Sequence, residues 1–235
     1  MGRKRLFMLE FRPITLQDKP VLHSFFYHAD GYGAEDSFVT LFLWGDQKVA
    51  FFENEPVILS KFSSESYAFP ARNRDLKAVV EAFLADAKER GFPNSFDYIY
   101  EIDHLADLHG KKLQAKRNHC NHFEETYPEY RILEIDAAQL PRCRAFTEQW
   151  YASHIERGEE SDFAGERIAI GKAFDNYEAL GLEGLVLEVD GQVVAFCMGN
   201  RIREDTYDVN FEKALPEMNG AYAMINREFA RRIRE

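Results

Sequence analysis

The sequence predicts an α/β (α+β) protein of two related domains in tandem, and two hairpins with their surroundings carry the prediction. The run VAFFENEPVILSK, Val49 to Lys61, reads as two short apolar strands about a turn. LVLEVDGQVVAFCM, Leu185 to Met198, repeats the pattern with Asp190-Gly191 as the turn. A helical region precedes each hairpin, Leu16 to Ala29 and Leu140 to Ile155. A third strand-like stretch follows each, SYAFPA from Ser66 and TYDVNFEKA from Thr206, and then an amphipathic helix. The repeated unit is therefore helix, hairpin, strand, helix.

In chain order, Phe7 to Phe11 is expected to form a strand. Pro13 ends it, and Thr15 with Asp18 three residues on signals a helix start. Leu22, Phe25 and Phe26 supply that helix's apolar face. Gly31 to Trp44 reads as a loop leading into a short helix or turn. Leu76, Val79, Val80, Phe83, Leu84 and Ala87 have the spacing of a helix with one buried face, which Gly91 and Pro93 end. SFDYIYEI then reads as a further strand, Asp103 to Phe123 as polar, basic helix, and Tyr130 to Ile135 as a strand. The boundary between the domains is placed at 128/129, giving 1–128 and 129–235.

In the second half, Cys143, Phe146 and Trp150 share a helix face; Glu156 to Asp162 reads as an exposed loop, and Phe163 to Leu180 as a helix. The helical pattern is still running at Glu235, so the second unit is expected to be truncated at its C-terminus. No flexible linker separates the halves.

The chain has 235 residues, 46% of them hydrophobic, enough for a sizeable core. No apolar run reaches the roughly 18 to 20 residues that a spanning helix needs, and a cytoplasmic protein is expected. Cys120, Cys143 and Cys197 are widely spaced and suggest reduced thiols, neither a disulfide framework nor a zinc site. A net charge of -11 argues against a protein that coats nucleic acid nonspecifically. Two local basic runs stand out, Lys111, Lys112, Lys116 and Arg117, and Arg227, Arg231, Arg232 and Arg234; each reads either as a binding patch or as a solvated helix face.

The passage TYDVNFEKALPEMNGAYAMINREFARRI holds the strongest chemical signal. A strand passes into a loop, and a helix begins after Asn219-Gly220, where free backbone N–H groups can hold phosphate or carboxylate or where the pair merely caps the helix. Asp208, Asn210 and Glu212 alternate along the strand and share a face, which suits either amine positioning and general-base chemistry or a wet edge strand. His119 and His122 lie three apart, a spacing seen among metal ligands, but caps, packing or anion contacts are the preferred reading and no metal is assigned. GxSxG, HExxH, P-loop and GxGxxG motifs are all absent.

Three segments, LHGKKLQAKRNHCNHF, the hairpin LEGLVLEVDGQVVAFCMGNRI and YDVNFEKALPEMNGAYAMINREFA, resemble the bacterial DUF2156 family, which is related to the C-terminal catalytic domain of phosphatidylglycerol lysyltransferase. The resemblance covers nearly all of the chain. It implies two tandem acetyltransferase-like (GNAT) domains, similar to the Fem aminoacyl transferases. It also implies transfer of an amino acid from aminoacyl-tRNA to an amine or hydroxyl, such as a lipid head group, with no cofactor beyond the donor substrate. Ser161-Asp162 ahead of Glu166-Arg167 resembles the family's Ser-Asp loop, which carries over Asp162 and Arg167. Under the same resemblance Glu212 or Asp162 is the base, Tyr222, the Gly220 amide or Arg227 stabilises charge, and the Lys111 to Arg117 run meets tRNA. The alternatives are an acyl-CoA-dependent N-acetyltransferase and a noncatalytic ligand- or tRNA-binding module. No oligomeric state is implied.

Overall fold

The computed structural model describes residues 10–27, 36–52, 55–60, 67–70, 100–155 and 160–234. It is a mixed α+β structure with two antiparallel sheets, and it divides into compact units at Met1–Tyr98 and Ile99–Glu235. The division falls ahead of the boundary expected at 128/129. The physical reason is that the helices between 102 and 126 bury their apolar side chains in the second unit's core.

The first unit runs β1 (Arg12–Pro13), a 3-10 turn (Leu16–Asp18), α1 (Lys19–Tyr27), α2 (Phe38–Leu43), β2 (Lys48–Phe52), β3 (Glu55–Ser60) and β4 (Tyr67–Pro70). The strands lie in sequence order, each antiparallel to the next. The capping signal at Thr15 is realised: Asp18 accepts hydrogen bonds from the Thr15 backbone N–H at 2.8 Å and its hydroxyl at 2.9 Å. The same carboxylate is clamped by the Arg12 guanidinium at 2.5 and 2.8 Å, and these bonds hold the Asp18 carboxyl below its ordinary range. Leu22, Phe26, Leu41, Leu43, Val49 and Ile58 form this unit's core. The first described strand sits at Arg12–Pro13, which register with Val49 and Lys48; of the strand expected at Phe7 to Phe11 only Glu10 and Phe11 are described, and they are not part of it. Phe7, the helix expected from Leu76 and most of SFDYIYEI lie outside the described residues; Ile102, the last residue of SFDYIYEI, begins a helix instead.

The second unit runs α3 (Ile102–Asp107), a 3-10 turn (Lys111–Leu113), α4 (Gln114–Thr126), β5 (Arg131–Glu134), α5 (Leu140–Ile155), α6 (Glu160–Asp175), α7 (Tyr177–Leu180), β6 (Glu183–Val189), β7 (Gln192–Arg201), β8 (Tyr207–Ala214) and α8 (Ala221–Arg234). Its sheet repeats the antiparallel order β5-β6-β7-β8. The β6–β7 turn follows from its two residues: Asp190 has φ 50° and Gly191 φ 77°, the left-handed pair that a two-residue hairpin requires.

Helices cover both faces of this sheet. Leu185, Leu187, Cys197 and Ala214 pack with Met224, Ile225 and Phe229 of α8 and with Cys120 and Phe123 of α4. On the other face Phe196 meets Phe146 of α5 and Phe174 of α6, each at 5.9 Å between ring centroids. All three cysteines are free and buried. Glu160 to Asp162 begin α6 in place of the expected loop, and Asn176 separates α6 from α7 where one continuous helix was expected. Among the described residues no helix is long and apolar enough to cross a membrane.

Candidate functional site

Strand β8 and helix α8 are joined by the short loop Leu215–Gly220, and α4 lies alongside that loop. Gly220 makes this junction possible. Its φ of +95° suits glycine, and a Cβ built there would stand 2.3 Å from the His119 carbonyl oxygen. The backbone of α8 therefore starts directly against α4. The Gly220 carbonyl accepts the Met224 N–H at 2.9 Å, so the helix begins at this residue.

Between these elements is a cleft of about 330 Å³, built from second-unit residues. Lys116 and His119 of α4, Glu212 of β8, Asn219 and Gly220 of the loop, and Tyr222 and Asn226 of α8 line it. His119 Nδ1 lies 3.0 Å from Asn219 Oδ1, tying α4 to the loop. Asn226 Nδ2 donates to Glu212 Oε2 at 2.9 Å. Directly across from Glu212 in the β7–β8 register stands Cys197, its buried thiol on the same face as that carboxylate.

Burial raises the Glu212 pKa above the ordinary carboxylate value, while the Asn226 hydrogen bond, the Lys116 charge and the neighbouring Cys197 thiol pull it back. Burial likewise raises the Tyr222 phenol, against a hydrogen bond from the Ala214 backbone and together with the nearby Glu212 charge. Tyr222 is nevertheless 42% exposed, placing a polar ring where a ligand can reach it. A desolvated carboxylate, a phenol and backbone and amide donors around one opening can accept a proton and stabilise developing negative charge.

Of the residues expected at the site, Glu212, Tyr222, Asn219, Gly220 and Lys116 come together here. The others serve elsewhere. Arg227 is buried in a double ion pair, with Glu124 at 2.6 Å and Glu228 at 2.7 Å, because it emerges from α8 toward α4, away from the cleft. Asp208 and Asn210 bond one another at 2.7 Å and do not line the cleft; the irregular β7–β8 register, which sets Asp208 opposite Asn200 and leaves Tyr207 against Phe229 of α8, turns Asp208 to the other face of the sheet from Glu212, a correction to the common face expected from alternation. Arg167 pairs with Glu148 of α5 on the surface. Asp162 lies in the first turn of α6, with its side chain outside the described residues.

Within the basic run, Lys111 and Lys112 are exposed, and Arg117 donates to the Leu108 carbonyl, fastening α4 to the end of α3. Lys116 lies 5.6 Å over the Tyr100 ring. No cluster of three metal-ligating side chains occurs among the described residues, and His122 is exposed on α4. Sequence reasoning missed Asn226 and Cys197. Asn226 stands four residues after Tyr222, one helical turn on and so on the same face, a spacing that was open to inspection. The partner of Cys197 depends on the β7–β8 register, which contains an irregularity between Met198 and Asn200 that no local pattern announces.

A family model for phosphatidylglycerol lysyltransferase, C-terminal, matches residues 90–235, a span that includes every residue of this cleft. The chain belongs to that family. A conserved protein of unknown function from Bacteroides thetaiotaomicron is 34% identical over 96% of this chain and 87% of its own, with a TM-score of 0.79. The C-terminal DUF2156 domain of a protein described as a lysylphosphatidylglycerol synthetase, from Agrobacterium fabrum, is 15% identical over 93% of this chain and 75% of its own. Its TM-score of 0.50 shows a likeness of fold alone. No curated protein matches the chain.

Proposed function

We propose that this protein is an aminoacyltransferase that moves an amino acid from aminoacyl-tRNA to an amine or hydroxyl acceptor, with a lipid head group among the candidate acceptors. Family membership supports the reaction class, and the repeated antiparallel sheet order supports two tandem GNAT-like units. The observation that carries the assignment to this cleft is the desolvated Glu212 carboxylate beside Tyr222 and the start of α8.

In the proposed step the acceptor's N–H or O–H gives its proton to Glu212 as its lone pair attacks the aminoacyl ester carbonyl. The bond from that carbonyl to the ribose oxygen of the tRNA breaks, and the proton passes to the departing oxygen. Tyr222 and the Gly220 N–H face the developing oxyanion, and Lys116 offers its charge to the tRNA backbone.

The test is transfer of labelled amino acid from a panel of charged tRNAs to soluble amines, alcohols and phosphatidylglycerol vesicles. Glu212→Gln is expected to slow transfer about 10²- to 10⁴-fold, the contribution typical of a general base. An unchanged rate would remove Glu212 from the mechanism. The Gly220 turn at the mouth of α8 favours one second reading, acyl-CoA-dependent N-acetylation, which release of free CoA thiol would reveal. Saturable binding with neither turnover would mark a noncatalytic module.

A further inference from the structure

We infer that Glu212 is held by a two-donor clamp, the Cys197 thiol from β7 and the Asn226 amide from α8, and that Cys197 is a positioning residue for the cleft. This rests on the reading of Glu212 as the reactive carboxylate. Three independent features of the geometry converge on it.

Cys197 is fully buried and stands directly opposite Glu212, so the two side chains leave adjacent strands on the same face of the sheet. Its neighbours on that face, Ala195, Leu185 and Leu187, are apolar, and Glu212 is the polar side chain set across from it. Asn226 turns its Nδ2 to Glu212 while its Oδ1 stays buried without a partner among the described residues. Leaving a buried carbonyl unpaired is costly, so the amide orientation is set by the carboxylate. Finally, the two donors come from the sheet and from α8, so that carboxylate rotation is resisted from both sides while Glu212 still borders the cleft.

The groups facing Glu212 are Cys197 from β7, Lys116 and His119 from α4, and Tyr222 and Asn226 from α8. Lys116 supplies a charge that acts at a distance; the clamp supplies direction. Without it, a carboxylate at the edge of an apolar core would be free to swing and would hold its proton more firmly.

The experiment follows the Glu212 side-chain carboxyl by carbon NMR across a pH titration of the whole chain. Cys197→Ala and Asn226→Ala are each expected to raise the titration midpoint by roughly half a pH unit, the size of one lost weak hydrogen bond. Cys197→Ser, which keeps a donor at nearly the same place, is expected to restore the wild-type midpoint. A midpoint unmoved in Cys197→Ala, or raised equally in Cys197→Ser, would overturn the clamp and leave Cys197 as packing alone. Because the titration needs no substrate, failure here is distinct from failure of the transfer assay with Glu212→Gln.

Discussion

Glu212 and Lys213 are consecutive on β8 and serve opposite faces of the sheet. Glu212 opens onto the cleft beneath α8, whereas the Lys213 ammonium is buried on the far side, 2.7 and 2.8 Å from the two oxygens of Glu166 and 4.0 Å over the Trp150 ring. Tyr151 and Phe163 complete the ring of aromatics, and the Tyr151 hydroxyl donates to Glu166 at 3.2 Å. The alternation of a strand thus sets a cleft-lining carboxylate on one side and an anchoring cation on the other.

Lys213→Met removes the cation and leaves Glu166 with the Tyr151 hydroxyl as its partner among the described residues. The expected loss of stability is about 2–4 kcal/mol by denaturant melting, from an uncompensated carboxylate and a lost cation–π contact. Adding Glu166→Gln to that variant is expected to recover part of the loss, since the stranded charge is then gone.

Glu212→Gln is expected to alter stability in one pH window. Burial raises the folded-state pKa of Glu212, so its contribution is fully present below the unfolded value and is lost as pH rises through the folded one. Wild type should therefore lose stability relative to Glu212→Gln between the ordinary glutamate range and the raised value. Parallel melting curves of the two proteins over pH 3 to 9, about the range of carboxylate and histidine titration, check this; parallel stability throughout would contradict it.

Asp18 has the opposite sign. Its carboxyl is held low chiefly by Arg12, so the stability it supplies is present above the unfolded value and is lost as pH falls through the folded one. Asp18→Asn should cost about 1–3 kcal/mol near neutrality, and the gap should close in acid.

Gly220→Ala would require a side chain at a φ of +95° with its Cβ against the His119 carbonyl. A penalty of about 1–3 kcal/mol is expected, together with loss of ligand binding in the cleft as α8 shifts from α4. Chemical-shift changes centred on His119 and Phe123 would report the displacement.

Lys116→Ala is expected to leave the melting temperature nearly unchanged and to lower the salt slope of tRNA binding by about one. Arg117→Ala and Arg227→Ala are expected to destabilise the fold, because Arg117 ties α4 to the Leu108 carbonyl and Arg227 is the buried partner of Glu124 and Glu228. A salt slope unchanged in Lys116→Ala would remove this lysine from the tRNA surface.

Much of the second unit was legible in the sequence. Asp190-Gly191 between apolar runs specified the β6–β7 hairpin, the Leu140 to Ile155 pattern matched α5 to the residue, and the stretch expected as a strand from Thr206 formed β8. These are local periodicities, dictated by backbone geometry within a few residues. Partners distant in the chain were decided only by packing. Arg227 and Lys116 read alike as basic residues on helix faces, yet one is buried between two glutamates and the other borders the cleft, because α4 and α8 cross at Gly220. By itself the sequence determined where the second unit's main strands and helices lie, each with its apolar face. The tertiary structure decided which of those faces meet, and so brought Cys197 and Asn226 to Glu212 and took Arg227 away, since contacts between elements depend on register and helix approach that no short-range pattern encodes.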